Sequence, residues 1–156
     1  MEVINPLYQK STEYQMNCVL CSTAYEMRRR GYDVEASRSS LGRYPDDIKT
    51  YFNNAEMQHA KTYSDFKKQL RAMPDGSRGN VCTNVGPFSS KHSMVWEKED
   101  GKVIIRDCQT NTKYDSIDKS IIRADAPSYD FIRTDNLEVN KDGIMDAIRP
   151  RGKEEL

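Results

Sequence analysis

Tyr14-Gln15-Met16-Asn17-Cys18-Val19-Leu20-Cys21-Ser22-Thr23-Ala24-Tyr25-Glu26-Met27-Arg28-Arg29-Arg30-Gly31 is the stretch on which the reading of this chain turns. It predicts a helix with a marked start and a marked stop. Asn17 is a good N-cap, because its side-chain oxygen can accept from the free amides of the first turn. Gly31 supplies the residue that enters the left-handed conformation at a helix end. At the helical step of about 100°, Leu20, Thr23, Ala24 and Met27 form an apolar stripe, with Ser22, Glu26, Arg29 and Arg30 on the other side. Cys21 sits at the edge of that stripe. Cys18 sits off it, in the first turn, where unpaired N–H groups and the helix dipole favour an anion. A thiol so placed tends to ionise, and the thiolate is the nucleophile. The competing reading is an inert core thiol, the usual fate of a free cysteine.

The rest of the composition sets bounds. A chain of 156 residues is most simply one domain, placed here at 1–148 with a charged, mobile tail at 149–156. Formal net charge is zero, from 24 basic and 24 acidic residues, so no basic excess marks a nucleic-acid or membrane binder. Arg28–Arg30 is the one tight basic run, and it opposes a helix dipole at its C-terminal end. No apolar run approaches a membrane span or signal-peptide core, so no export address is readable; the sequence is also compatible with one module cut from a longer protein. Cys18 and Cys21 with Cys82 and Cys108 suggest zinc only weakly, because a second close pair is missing and His59 and His92 are the only histidines. A redox disulfide between Cys18 and Cys21 lacks the preceding βαβ pattern. No metal or cofactor is expected.

Outward from the helix, residues 1–13 read as an extended arm. Tyr32–Ala36 alternates as a short strand, and 37–44 is polar loop. Pro45 to Asn54 opens a short helix burying Ile48, Tyr51 and Phe52. Tyr63–Met73 is a stronger helix, with Phe66, Leu70 and Met73 on one face and Ser64 as its cap. Pro74 to Gly79 is a turn cluster. Strands then follow at Val81–Val85, Ser93–Glu97, Val103–Asp107, Lys113–Ile117 and Tyr129–Arg133, with Asp100-Gly101 as a hairpin turn. Asn140–Ile148 reads as a short helix. Helices first and an antiparallel sheet after them predict an α+β fold.

His92 precedes the first strand of the Asp100-Gly101 hairpin and Asp107 ends the second, so the turn brings them together at the hairpin's open end. An imidazole held by a carboxylate keeps one tautomer and stays charged beside a thiolate. With a cysteine at a helix start, these are the parts of a Cys–His–Asp nucleophilic site. Gln15, Gln109 and Asn111 are polar orienters, and Gln15 is near enough to Cys18 to stabilise an oxyanion. His59 reads as a surface residue.

Asn-Cys-x-x-Cys at 17–21, the run from Arg28 to Ala36, Lys91-His92 and Gly-Lys-Val-x-x-x-Asp-x-Gln at 101–109 together resemble the papain-fold toxin domains of bacterial polymorphic toxins and phage-related proteins. The order helix-Cys, strand-His, strand-Asp is also similar to that of the bacteriocin-processing peptidases. The resemblance implies a papain-like fold, an N-terminal helical part carrying the cysteine helix packed on an antiparallel sheet carrying His and Asp. It implies Cys18 as nucleophile, His92 as general base, Asp107 as its orienting partner and Gln15 as oxyanion donor. Papain-like enzymes place that glutamine about six residues before the nucleophile, which would nominate Cys21 as the alternative; helix-start position favours Cys18. Related domains often carry Pro where Cys108 stands.

The implied activity is thioester chemistry on a carboxamide. Peptide-bond cleavage in a target protein is favoured, and deamidation of a target's glutamine uses the same triad. The resemblance further implies an antibacterial effector acting in the cytoplasm of a target bacterium and a cognate immunity protein. A reading of another class is a non-catalytic interaction module that kept the fold.

Overall fold

The computed structural model describes residues 3–8, 17–38, 47–87 and 90–152. Its helices are α1 (Cys18–Arg29), α2 (Ile48–Tyr51) and α3 (Tyr63–Arg71), and a 3-10 turn covers Gly143–Asp146. Its strands are β1 (Val34–Ala36), β2 (Gln58–Ala60), β3 (Arg78–Val85), β4 (Ser90–Glu99), β5 (Lys102–Asp107), β6 (Thr112–Tyr114), β7 (Tyr129–Arg133) and β8 (Ile148–Pro150). The fold is α+β, a helix packed on an antiparallel sheet.

The six-stranded sheet runs β2-β7-β3-β4-β5-β6, and β1 pairs with β8 in a separate two-stranded ribbon. The β4–β5 hairpin turns at Asp100 and Gly101, with φ of 49° and 78°. Two consecutive positive φ values are what a two-residue type I′ turn demands, so this part of the sequence reading holds. Strand alternation divides β4 between two cores. Met94 and Trp96 pack with Phe66 and Leu70 of α3, while Val95 packs with Cys21, Ala24 and Tyr25 of α1. The sheet is therefore covered by α3 on one face and α1 on the other.

Helix α1 ends as expected, at Gly31 with φ of +100°. Its burial differs from the one-stripe expectation, since every residue from Val19 to Met27 is buried. Leu20 and Met27 meet α2 and Ile144, while Ala24 and Tyr25 meet β4 and Ile4 of the N-terminal segment. The polar side is covered as well, and its charges are paired there. Glu26 accepts from Arg78 at 2.8 and 2.9 Å and from Arg30 at 2.8 Å. On β4, Glu97 accepts from Tyr25 at 2.6 Å and pairs with Arg29 at 2.7 Å and with Arg106. A central helix thus keeps acidic groups inside only because guanidinium groups converge on them.

Four further expectations change. Thr62, not Ser64, caps α3, accepting from the Asp65 amide at 3.1 Å. The helix expected at Asn140–Ile148 is reduced to the 3-10 turn, with Ile148 taken into β8 by its pairing with β1; the turn passes so close to α2 that a Cβ on Gly143 would lie 1.8 Å from the Thr50 carbonyl oxygen. The boundary drawn at 148 falls inside β8. Arg149 is buried, paired with Glu35 at 2.7 Å, so pairing with β1 carries the ordered chain past that boundary. β2 has no counterpart among the expected strands; its His59 is exposed, as expected, and is paired with Asp130 across β7.

Gly79 supplies a stability test. It lies inside β3, not in the turn cluster where the sequence placed it, and a Cβ there would meet the Ile132 carbonyl oxygen at 1.8 Å and Trp96 Nε1 at 2.7 Å. Both neighbours are fixed, one by the β3–β7 ladder and the other by the Trp96 hydrogen bond to Ile132. Gly79→Ala is expected to cost about 3 kcal/mol or more, read as the shift in a urea midpoint.

Candidate active site

The site forms where β5 ends and β4 continues. β4 pairs with β3 along its length as far as Val85↔Ser90, but with β5 only as far as Val95↔Arg106. His92 is thus inside β4 rather than before it. It lies on the projecting part of the strand, and alternation sets it on the same side as Asp107, the last residue of β5. His92 Nε2 and Asp107 Oδ2 are 3.0 Å apart. The open-end juxtaposition read from the hairpin is present.

Cys18 opens α1 and is half-buried, close enough to His92 for the imidazole to act on its thiol. Because Asp107 occupies Nε2, Nδ1 is the ring nitrogen left for the sulfur. Burial pushes the thiol up, but the His92 hydrogen bond and charge, with the N–H groups of Ser93 and Val19, carry it below its ordinary value. One amide comes from the projecting strand and the other from the first turn of α1. Burial pushes the His92 imidazole down; its hydrogen bonds to Asp107 and Cys18 outweigh that and raise it to about 10. Burial would also raise Asp107, yet His92 and the Thr110 amide hold it below the usual carboxylate range. The three shifts agree on a thiolate–imidazolium pair backed by a carboxylate. His92 keeps 14% of its side chain exposed, so the pair is sheltered but reachable.

The alternative nucleophile lies in a different setting. Cys21 is fully buried, burial pushes its thiol well up, and its Sγ donates to Asn17 Oδ1 at 3.3 Å. The environment of Cys21 suits a thiol. Cys82 and Cys108 are also buried and pushed up, Cys82 to about 12. All four cysteines are free. Among the described residues, no group of three or more His, Cys, Asp or Glu side chains is placed to hold a metal ion.

Gln15, expected as the oxyanion donor, lies outside the described residues. Gln109 is brought to the site, and it is tied there in two ways. Its backbone N–H donates to Asp107 Oδ1 at 3.1 Å, beside the Thr110 N–H at 3.4 Å. Its side chain donates to Asn17 Oδ1 at 3.3 Å. Asn111 stands further round this turn, in the left-handed region with φ of 59°, on the wall of a cavity of about 230 Å³ shared with Tyr25, Arg106 and Asp107. A larger cavity of about 700 Å³ lies at the hairpin tip, between Lys102, Arg71 and Asp115, at the far end of β5 from Asp107.

Two features escaped the sequence reading. The Ser93 amide was hidden because His92 was placed outside the strand. Asn17 occupies the N-cap position but makes no side-chain cap bond. Its amide joins Asn5 and Gln109 instead, and nothing local in the sequence announces partners 12 and 92 residues away.

Comparison with known proteins gives no match, either to a protein-family model or to a curated sequence. Among the described residues no helix is long and apolar enough to cross a membrane.

Proposed function

We propose that this chain is a papain-like cysteine hydrolase that cleaves a peptide bond in a target protein. The observation that carries this reading is the Cys18–His92–Asp107 array, with its sulfur at a helix start and its imidazole held at 3.0 Å by a carboxylate. The Cys18 thiolate attacks the carbonyl carbon, and the carbonyl π electrons move to oxygen. As the tetrahedral species collapses, the C–N bond breaks and the His92 imidazolium gives its proton to the leaving nitrogen. The thioester is then opened by water, whose proton returns to His92 as the carbon–oxygen bond forms and the thiolate departs. Asp107 stays ionised and keeps the ring oriented through both halves.

The same steps on a glutamine side chain would release ammonia and leave glutamate. Peptide-bond cleavage is preferred on the resemblance to bacteriocin-processing peptidases. The resemblance to papain-fold toxin domains supports reading the chain as an antibacterial effector that acts in the cytoplasm of a target bacterium and is neutralised in its producer by an immunity protein covering the cleft.

The test is incubation of the purified chain with a lysate of a susceptible bacterium, followed by mass spectrometry of the substrate pool. New amino termini that disappear after iodoacetamide treatment of the enzyme are expected. Iodoacetamide-sensitive ammonia release without new termini would assign the deamidase reaction. Neither product, from a folded chain with intact thiols, would leave an interaction module as the better reading.

A further inference from the structure

The side chain of Asn17 is fully buried at the N-cap position of α1 and does not cap it. Asparagine is among the residues best suited to provide such a cap. The amide is instead committed at both ends. Its oxygen accepts from Asn5 Nδ2, Gln109 Nε2 and Cys21 Sγ, each at 3.3 Å. Its nitrogen donates to Asn5 Oδ1 at 3.1 Å and to the Ser37 carbonyl at 2.8 Å. Asn5 is itself buried and donates to the Gln109 carbonyl at 3.3 Å. Four segments therefore meet on one side chain: the N-terminal arm, α1, the chain after β1, and the turn after β5.

That turn is the one that holds the carboxylate, since the Gln109 N–H donates to Asp107 Oδ1. The network thus connects Asp107 to the residue immediately before Cys18 through buried hydrogen bonds. Only an amide fills this position. A carboxylate cannot donate to Asn5 and Ser37, and a hydroxyl is too short to reach every partner.

We propose that Asn17 is a positioning residue for the hydrolase reaction: it fixes the start of α1 against the Asp107 turn and, by not capping its own helix, leaves the first-turn amides to the Cys18 sulfur. The proposal rests on the cysteine-hydrolase reading above. Asn17 touches none of the reacting atoms and acts through Cys18 and Asp107. It also supplies a reason for Asn before this cysteine beyond helix signalling, because the Val19 N–H it leaves unclaimed is one of those serving the sulfur.

The decisive variant is Asn17→Ser, because serine restores a good cap while breaking the network. Its hydroxyl would draw the Val19 or Leu20 amide away from the sulfur. Alkylation of Cys18 by iodoacetamide is followed from pH 4 to 10 by peptide mass mapping, alongside a thermal melt of the same samples. The wild type should alkylate with a midpoint below that of an ordinary thiol. Asn17→Ser should move that midpoint up by about one pH unit, roughly a tenfold slower reaction on the acid side. Gln109→Met keeps the backbone donor to Asp107, removes the side-chain link, and should shift the midpoint in the same direction by less; it also serves if the Ser variant does not fold.

A purely structural Asn17 would lower the melting temperature and leave the midpoint where it was, and that result overturns the proposal. A wild-type midpoint at the ordinary thiol value would instead overturn the hydrolase reading itself, so the two failures are distinguishable.

Discussion

Cys18→Ala and His92→Ala abolish toxicity when expressed in a susceptible bacterium, and Cys21→Ala retains it at matched expression. That is the expected result, and the two cysteines differ enough to make it sharp. Cys18 is half-buried, which opposes ionisation, but the His92 hydrogen bond and charge and two amide donors outweigh that and favour the anion. Cys21 has no exposure, a neighbouring thiol at Cys108 and a hydrogen bond in which it is the donor, all of which favour the neutral form. In the purified enzyme, loss of the nucleophile should reduce kcat on the order of 10⁴-fold or more. Cys21→Ala should change kcat by about threefold at most, with a stability cost near 2 kcal/mol for a small buried side chain. Loss with Cys21→Ala but not with Cys18→Ala would transfer the nucleophile to the papain glutamine spacing. Four indistinguishable strains, wild type included, would leave the hydrolase reading without support.

What the sequence disclosed and what it concealed divide along physical lines. Local chemistry was legible. Asp100-Gly101 demanded a tight turn, and Phe66 and Leu70 at helical spacing demanded one buried face. From the turn alone followed the meeting of His92 and Asp107, because a hairpin converts a sequence offset into a distance. Pairing over long separations was not legible. β7 inserts between β2 and β3, and β8 returns 112 or more residues to lie against β1, choices made by the assembled core. The burial of Glu26 and Glu97 was hidden for the same reason. Helical periodicity assigns a charged face to solvent, and only the arrival of Arg78 on β3 and Arg106 on β5 makes the interior acceptable to those carboxylates. At the site, the residue types and the three positions Cys18, His92 and Asp107 were readable, although His92 lies within β4 rather than ahead of it. Asn17 was misread because a good cap residue was assumed to cap, and its buried partners won the competition for its amide.

Asp107→Asn should lower kcat about 10²- to 10⁴-fold and should do so with a displaced pH profile. In the wild type the imidazole is raised to about 10 against burial, with the Asp107 hydrogen bond the largest opposing contribution. Substituting a neutral amide removes the charge that holds the ring protonated and allows the wrong tautomer. The His92 midpoint should then fall by more than one pH unit, and the Cys18 midpoint should rise, since the thiolate loses its cation. NMR titration can follow this directly, because His59 is the only other imidazole in the chain. The stability consequence has a sign on each side. His92 is raised when folded, so its contribution is complete below its unfolded value of 6.5 and is lost as pH climbs through about 10. Asp107 is depressed when folded, so its contribution is present above 3.8 and is lost as pH falls through its lower folded value. The melting gap between wild type and Asp107→Asn should therefore be widest between pH 3.8 and 6.5, corresponding to roughly 3 kcal/mol for a broken buried pair. It should narrow toward both extremes. A gap that does not vary with pH would mean that the two side chains do not form an ion pair, and a His92 midpoint near 6.5 in the wild type would remove the charge on which the thiolate depends.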